Sequence, residues 1–293
     1  MMFNEYVREE GEKVDPPVSF GANERIKREK QAYDSGKVWE NNDRLHRRFR
    51  HVFECPNTLR GEKFLEDLVA RVVPGSDVLD YGCYDGWMTP VYARANPRGI
   101  VGIDISEKAI ADAKAMHGNV AKFYVADAHR LALEDASFDV VIGRSILHHL
   151  NYEIAIQEIC RILRPGGYAV FVEPLGDNPA AKLFRALTPS TRTSDEKALS
   201  KRQIRWADQI FGSSEHLYIN LLSTPLALMS SLLPVRPDTA LLRAADRVDV
   251  LLARTSLRYW MRSVCLVWQK RKQKILQHEF HSLPLEFEAR LSY

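Results

Sequence analysis

The sequence has few cysteines and no arrangement of residues that would bind a structural metal. Its cysteines, Cys55, Cys83, Cys160 and Cys265, lie far apart without a Cys-x-x-Cys pair, and no histidine cluster has metal-ligand spacing. This pattern argues against a disulfide scaffold and against a zinc finger. We therefore expect reduced thiols, a cytoplasmic location and no metal site.

The sequence also lacks an apolar leader and an uninterrupted membrane-spanning run. Residues 1–17 carry acidic side chains where a signal peptide would need an apolar core, so we do not expect secretion. Residues 217–235 carry no formal charge over 19 residues, about the length that spans a bilayer. Pro225, Pro234 and Asn220 lower the hydrophobicity of this stretch, and we interpret it as a buried strand followed by an apolar lid helix.

No strong charge bias singles out a class of partner. The 293 residues carry a formal net charge of +3, which gives no reason to expect a nucleic-acid partner, and the 45% apolar content can form a substantial core. We divide the chain into a flexible arm at residues 1–22, a helical segment at 23–58 and one main domain at 59–293. A helical insertion is expected from about residue 223 to 256.

After Pro74 and Gly75, strand-like and helix-like segments alternate in a regular way. Successive βαβ units with short connections predict a parallel sheet with helices on both faces, whose ligands bind at the carboxyl ends of the strands. Strands are predicted at residues 77–81, 99–105, 121–126, 138–143, 167–173, 216–222 and 258–269, and helices at 23–35, 61–73, 86–95, 106–117, 152–163, 201–211 and 238–254.

The segment VLDYGCYDGW, residues 78–87, is the most informative about chemistry. A hydrophobic strand ends in Asp80, and the chain then turns through Gly82 and Gly86 into a helix. Glycines at such a turn let a ligand approach the backbone closely. Asp80 and Asp85 would repel a pyrophosphate but attract an ammonium and a sulfonium, so the charges favour S-adenosylmethionine over a dinucleotide.

Two further acidic residues follow the next two strands. Asp104 ends the strand in IVGIDIS, 18 residues after Gly86, where a carboxylate can accept hydrogen bonds from both ribose hydroxyls. Asp127 follows the strand in FYVADAH, where its side chain can accept a hydrogen bond from the adenine amino group. Acidic residues at three successive strand ends make the cofactor prediction specific.

Together with FDVVIGRSILHHL (138–150) and RILRPGGYAVFVEP (161–174), these segments resemble the successive motifs of class I S-adenosylmethionine-dependent methyltransferases. The similarity is greatest to the branch that includes the ubiquinone and menaquinone C-methyltransferases and many small-molecule enzymes, and it covers roughly residues 60–175. It implies a Rossmann-like α/β fold with a doubly wound seven-stranded sheet, mostly parallel with an antiparallel last strand. N-terminal helices and a helical insertion before that strand complete the implied architecture, and S-adenosylhomocysteine is the implied product.

In that family the glycine-rich turn holds the methionine part of the cofactor, the second acidic residue the ribose and the third the adenine. By resemblance, these roles fall on Gly82 with Gly86, on Asp104, and on Asp127 with Ala128. The predicted cofactor-binding residues are Asp80, Tyr81, Gly82, Cys83, Tyr84, Gly86, Asp104, Ile105, Asp127, Ala128, Arg144 and Tyr33.

Tyr84 departs from the family pattern, which usually has glycine at the centre of the turn. A side chain is permissible there if the φ angle of the residue is negative, and that is our expectation. We interpret Tyr84 as a sign of a reshaped cofactor pocket.

Arg144, Ser145, His148 and His149 follow the fourth strand, at the rim where the family presents its methyl acceptor. Methyl transfer from a sulfonium mainly needs in-line positioning and electrostatics. If the acceptor is a hydroxyl, His148 or His149 is the candidate catalytic base. The alternative is that one histidine packs in the helix and the other caps it or lines the pocket. Glu173 ends the fifth strand at the same rim, in either a structural role or contact with a ligand.

The helical segment 23–58 is interpreted as a lid, because helices before the first strand of this fold commonly close over the cofactor. Tyr33 and Trp39 can stack there or contribute to packing. At the other end of the chain, ten Arg or Lys residues stand against three Asp between Arg236 and Lys274. An apolar stripe is predicted on the helix in this region, formed by Leu241, Ala245, Val248 and Leu252.

A basic amphipathic region of this kind can lie on a membrane surface, meet an anionic acceptor, pack on a second copy in a homo-oligomer, or form a solvated face. The main functional hypothesis is methyl transfer to a small organic acceptor, such as a specialised metabolite, a sugar or a lipid-like intermediate. The alternatives are an RNA or protein methyltransferase that uses the basic segments, and a non-catalytic scaffold with the same fold. The sequence does not separate O-, N- and C-methylation.

Overall fold

A computed structural model describes residues 20–35, 37–179, 181–182 and 196–272. Its central feature is a seven-stranded sheet. The strands are β1 (Asp77–Tyr81), β2 (Gly99–Asp104), β3 (Lys122–Val125), β4 (Phe138–Arg144), β5 (Leu163–Pro174), β6 (Gly212–Ile219) and β7 (Ser263–Lys270). The predicted arm at residues 1–22 lies almost entirely outside the described residues.

The strands are ordered β3-β2-β1-β4-β5-β7-β6 across the sheet. Neighbours from β3 to β5 are parallel, and β7 is antiparallel to both β5 and β6. Strand β1 lies between β2 and β4 and is parallel to both, so the carboxyl ends of these three strands meet at one edge of the sheet. The predicted Rossmann-like fold, with its antiparallel last strand, is confirmed.

Strand β1 is buried on both faces, as the continuous apolar run at this position predicts. Leu79 and Tyr81 are fully buried in one core layer, and Val78 is fully buried in the layer on the opposite face. This alternation follows from the two-residue period of a strand. Two apolar layers therefore hold the sheet rigidly beneath its loops.

Helices cover both faces of the sheet and its carboxyl edge. They are α1 (Phe20–Asp34), α2 (Lys37–Arg48), α3 (His51–Glu54), α4 (Pro56–Val72), α5 (Thr89–Arg94), α6 (Glu107–His117), α7 (Tyr152–Ile162), α8 (Lys201–Phe211), α9 (Ser223–Ser230) and α10 (Ala240–Leu252), with 3₁₀ turns at Leu147–His149 and Ser256–Trp260. The proposed boundary between residues 58 and 59 falls inside the first turn of α4.

Two element boundaries differ from the predictions for identifiable reasons. The helix predicted from residue 86 starts only at Thr89, because Gly86 has a φ of +78° and is not helical. The strand predicted from residue 258 starts at Ser263. Residues Ser256–Trp260 instead form a 3₁₀ turn, which the Thr255 side chain caps by accepting from the Leu257 N–H.

The apolar stripe predicted on α10 is only partly covered by the core, because Ala245 is buried and Leu252 packs against the core. Leu241 and Val248 are 61% and 40% exposed, whereas Asp246 and Asp249 are buried. Asp249 accepts hydrogen bonds from the backbone N–H groups of residues 221, 222 and 223 at 2.7–3.1 Å, so it satisfies the start of α9. Buried backbone N–H groups require hydrogen-bond acceptors, so an aspartate rather than a leucine occupies this buried position of the helix.

The uncharged stretch 217–235 is confirmed as the end of β6 followed by α9. Within the described ranges, none of the helices has the length and apolar content needed to cross a bilayer. Helices α3 and α10 pack on α9, and α4 packs on α10. Val52, Cys55, Ala227 and Leu242 form a small separate core.

Candidate active site

A cavity of about 1000 Å³ opens at the carboxyl edge of the sheet. The ends of β1 to β5 form its floor, α1 covers one side, and the end of β6 and the start of β7 form the far wall. The cofactor side, at the ends of β1 to β3, is lined by Gly82, Tyr84, Asp85, Trp87, Ile103, Asp104, Ile105, Ala126, Asp127, Ala128 and His129. The remaining wall, which we call the acceptor side, includes Phe53, Thr58, Glu62, Arg144, Ser145, His148, His149, Glu173, Glu196, Ile219 and Arg262.

The turn after β1 requires glycine at its first position. Gly82 has a φ of +79°, and a Cβ atom there would lie 2.6 Å from the Ile146 Cγ1 atom. The backbone N–H groups of Gly82 and Cys83 both donate to the Ile103 carbonyl at 2.9 Å, which ties this turn to β2. The turn is therefore fixed by packing and hydrogen bonds on its inner side.

The expectation of a negative φ at Tyr84 is wrong, because its φ is +50°. This left-handed conformation is unfavourable for a residue with a Cβ atom. It is held by a hydrogen bond from the Tyr84 N–H to Asp104 Oδ2 at 3.0 Å. The Tyr84 side chain lines the cavity, with its ring centre 6.5 Å from that of Tyr33 on α1. The turn thus keeps the shape that glycine would give it and adds an aromatic wall.

Asp80 lies behind this turn and is 3% exposed. Burial raises the pKa of its carboxyl group to about 8, and the nearby Asp104 carboxylate contributes to the rise. Its Oδ2 atom is buried and accepts no hydrogen bond from the described residues. A buried carboxyl oxygen without a donor fits a ligand that brings a positive charge to the turn.

Asp104 and Asp127 are fixed by different contacts. Asp104 accepts hydrogen bonds from the N–H groups of Tyr84 and Ser106. Burial raises its pKa, although these backbone hydrogen bonds oppose the rise. Asp127 Oδ1 accepts from the His129 N–H at 2.9 Å and lies 2.6 Å from His129 Nδ1. Burial opposes its ionisation, but the His129 contacts prevail and lower the pKa of Asp127.

Asp80, Tyr81, Cys83 and Gly86 were predicted to bind the cofactor, but none of them lines the cavity. The buried Tyr81 hydroxyl donates to the Ala128 carbonyl, which positions the start of the loop after β3. Cys83 packs in the core, and burial raises the pKa of its thiol. Gly86 faces His117 and Phe123. These residues support the shape of the site from behind.

The cofactor side fits a cationic ligand. Its described lining residues include Asp85, Asp104 and Asp127 but no lysine or arginine. Arg144, at the boundary with the acceptor side, has its charge compensated by two hydrogen bonds to the Glu62 carboxylate, one of them 2.7 Å long. A pyrophosphate would lie among carboxylates here, whereas an ammonium or a sulfonium would be attracted.

His148 forms a buried pair with Glu173. Its Nδ1 atom lies 2.6 Å from Glu173 Oε2, while Glu173 Oε1 accepts from the N–H groups of Ile146 and Leu147 at 2.9 Å each. The two backbone donors fix the carboxylate, and the carboxylate fixes the imidazole ring. An Nδ1–H that donates to Glu173 leaves Nε2 as the proton acceptor of the neutral ring.

His149 points toward α1 instead. Its Nε2 atom lies 3.0 Å from the Tyr33 hydroxyl, and its Nδ1 atom lies 3.2 Å from Glu29 Oε2. Arg25, also on α1, donates to the His149 carbonyl at 2.8 Å. The two adjacent histidines therefore differ in their contacts, since His148 is held by the sheet and His149 by α1.

One group in the described part of the chain brings metal-ligating atoms together. His148, His149 and Glu196 each place one such atom within 4.8 Å of the others. Because Tyr33 and Glu29 face the two ring nitrogens of His149, a metal would have to displace one of these contacts.

Several residues of the site escaped sequence reasoning. Glu29 and Glu62 belong to helices outside the motifs, and Arg262 precedes the last strand by one position. Nothing in their local sequence marks them. His129 could have been noticed, because it lies two residues after Asp127, where its N–H and ring can reach the carboxylate.

Comparisons with known proteins agree with the motifs. Residues 79–171 match the family model described as "Methyltransferase domain", within the segment on which the resemblance rested. The O-methyltransferase cnsE of Penicillium expansum is 31% identical over 127 residues, which cover 41% of this chain and 46% of that protein. The 27-O-demethylrifamycin SV methyltransferase of Amycolatopsis mediterranei is 39% identical over 112 residues, or 35% and 41% of the two chains. The chain thus spans less than half the length of either relative.

A solved structure shows the same fold over more of the chain. A chain in the solved complex that contains the Haloferax volcanii Trm112 methyltransferase activator superimposes on this chain with a TM-score of 0.51, and the two sequences are 18% identical. The match covers 82% of the present chain and 97% of the other.

Proposed function

We propose that this chain, whose residues 79–171 match the model of a methyltransferase domain, transfers the methyl group of S-adenosylmethionine to a small organic acceptor. The observation that carries the proposal is a single cavity that holds both the acidic cofactor side and the His148–Glu173 pair. Fold alone would not assign an activity, since many functions share this architecture. The cavity, at about 1000 Å³, is at the upper end of the usual range of ligand sites, as expected for two ligands.

The cofactor would be held by the residues that line the turn and the next two strand ends. Gly82 gives the methionine part access to the backbone, and the buried Asp80 carboxyl favours a positive charge at the turn. Asp104 still has lone pairs for the two ribose hydroxyls beyond its two backbone contacts. Both side-chain contacts of Asp127 use Oδ1, so Oδ2 can accept from the adenine amino group. When bound, S-adenosylmethionine supplies an activated methyl group on a sulfonium.

The acceptor would be oriented on the other side of the cavity. For a hydroxyl acceptor, the Nε2 atom of His148 removes the proton, and Glu173 stabilises the imidazolium that results. The buried carboxylate also keeps the ring in the tautomer whose Nε2 atom can accept a proton, and Glu196 Oε1 lies 3.7 Å from that atom. His149 is the less suitable base because both of its ring nitrogens face residues of α1.

Residues 23–58 are proposed to act as a lid. Arg25, Glu29 and Tyr33 line the cavity from α1, and all three contact His149. Closure by this segment would exclude water from the reacting atoms. The cysteines of the chain are all free thiols, which supports the proposal of a cytoplasmic location.

The insertion face is proposed as the region that meets a larger partner. It comprises Met229, Leu232, Leu233, Leu241 and Leu251, all 59–65% exposed. Exposed apolar groups near arginines are typical of contact with an anionic membrane surface. Sedimentation with phosphatidylserine vesicles, lost in a Leu232→Ser/Leu233→Ser variant, would support this proposal. Vesicle-independent dimers in light scattering would point to a second copy of the chain instead.

Calorimetry with S-adenosylhomocysteine tests the cofactor proposal directly. Wild-type protein should bind, and Asp104→Ala should bind at least tenfold more weakly, whereas Asp112→Ala on the exposed face of α6 should match wild type. Absence of binding by wild type would overturn the enzyme hypotheses. Binding without methyl transfer across a broad acceptor panel would favour a scaffold, and transfer to RNA or protein alone would favour the other alternative.

A further inference from the structure

The acceptor side of the cavity contains an arginine, Arg262, that forms no ion pair with an acidic residue in the described part of the chain. Arg262 immediately precedes β7. Its backbone N–H donates to the Asn220 carbonyl at 2.8 Å, and its carbonyl accepts from the Leu175 N–H at 3.0 Å. The backbone of this residue is therefore fixed between the ends of β5 and β6, and its side chain lines the cavity.

The guanidinium group of Arg262 makes few polar contacts. Its Nε atom is buried and donates to none of the described residues. One terminal nitrogen lies 3.5 Å from Thr58 Oγ1, at the limit of a hydrogen bond, and the group lies over the Phe53 ring at 5.4 Å. A buried guanidinium with so few acceptors is costly unless another partner supplies them.

Two basic side chains, Arg144 and His46, lie near Arg262. Burial lowers the pKa of Arg262; Cys55 and the Glu62 carboxylate oppose this fall, and the charge of Arg144 adds to it. Burial likewise lowers the pKa of His46, with Arg262 contributing. Arg144 is neutralised by its hydrogen bonds to Glu62, so that carboxylate is already engaged. The charge of Arg262 remains without a matching negative group among the described residues.

We propose that Arg262 binds an oxyanion, a carboxylate or a phosphate, carried by the methyl acceptor. This inference rests on the proposed function, because it assigns the acceptor to the same cavity. A guanidinium fork matches the two oxygens of such a group and forms parallel charge-assisted hydrogen bonds. Phe53 and Ile219 provide apolar wall beside it. The acceptor is thus an apolar or aromatic molecule that bears one anionic group.

The test uses the full chain saturated with S-adenosylhomocysteine and three probes of similar size: benzoate, phenyl phosphate and the neutral benzamide. Calorimetry should show at least tenfold tighter binding of one anionic probe than of benzamide. The ranking of benzoate against phenyl phosphate distinguishes the two kinds of oxyanion. In Arg262→Gln the preference should fall to within twofold. Arg254→Gln removes the same charge from the exposed C-terminal end of α10 and should leave the preference unchanged.

Arg262→Lys is the second variant, in case the glutamine variant does not fold. It keeps the charge but not the fork, so the preference should be reduced at least threefold relative to wild type. Equal affinity of wild type for benzamide and both anions would overturn the proposal, as would an unchanged preference in the Arg262 variants. S-adenosylhomocysteine binding is measured first for each protein, and its failure would instead count against the proposed function.

Discussion

Replacing Asp80 with asparagine should change how the stability of the protein depends on pH. The carboxyl group has an ordinary pKa of 3.8, and burial raises this value to about 8 in the folded chain. The folded state therefore holds this proton more tightly than the unfolded state does. As the pH rises from about 4 to about 8, the unfolded chain gains stability relative to the folded chain at about 1.4 kcal/mol per pH unit.

The expected magnitude follows from this slope. Between pH 5 and pH 8, the wild-type free energy of unfolding should lose about 4 kcal/mol because of Asp80 alone. The asparagine side chain of the Asp80→Asn variant does not titrate. The stability of this variant relative to wild type should therefore rise by about the same amount over this range and level off above pH 8. Titrations of groups distant from Asp80 affect both proteins equally and cancel in the difference, whereas the neighbouring Asp104 is coupled to Asp80 and contributes to it.

Urea unfolding followed by circular dichroism, from pH 5 to pH 9 without cofactor, measures this difference. Asp112→Asn provides the matched control, since it makes the same chemical change at an exposed position on α6. Its stability should run parallel to that of wild type. Parallel curves for Asp80→Asn and wild type would refute the reasoning, because they would mean that the Asp80 carboxyl is not desolvated in the folded chain.

Three further predictions test other parts of the structure. Gly82→Ala should destabilise the chain by about 2–4 kcal/mol in urea unfolding, from steric overlap together with the left-handed backbone; Gly75→Ala, where φ is +68° but no atom lies within 4 Å, should lose only the backbone part. Asp249→Asn should lose about 2–4 kcal/mol, because a charged acceptor of three backbone N–H groups becomes neutral; an unchanged midpoint would contradict the capping role. With a hydroxyl acceptor, His148→Asn and Glu173→Gln should each lower kcat by about 10²–10⁴ without changing S-adenosylhomocysteine affinity, and unchanged turnover in both would remove the base assignment.

The sequence predicted the sheet well because the alternation of strands and helices and the short connections between them are both local features. Apolar runs of strand length alternated with amphipathic helices, and right-handed βαβ connections leave few ways to arrange them. The cofactor side was predictable for the same reason. Asp104 follows directly from a strand end, and all strand ends of a parallel sheet meet at one edge.

The conformation of Tyr84 and the buried face of α10 were not predictable in this way. A left-handed φ at Tyr84 becomes acceptable only because Asp104, twenty positions along the chain, accepts its N–H. Leucine and valine spacing on α10 suggested an apolar stripe, but Asp249 is buried because the start of α9 lies beside it. In both cases a hydrogen-bond partner from another element outweighs the local preference.

The sequence by itself determined the fold, the glycine turn and the acidic residues that follow the first three strands, since each depends on periodicity or on position within a βαβ unit. Only the tertiary structure decided which residues complete the acceptor side. It places His148 in contact with Glu173 and His149 in contact with α1. It also places Arg262 beside Thr58, from which it is separated by 204 positions in the sequence. Contacts between distant segments depend on how the layers pack, and no local pattern encodes that packing.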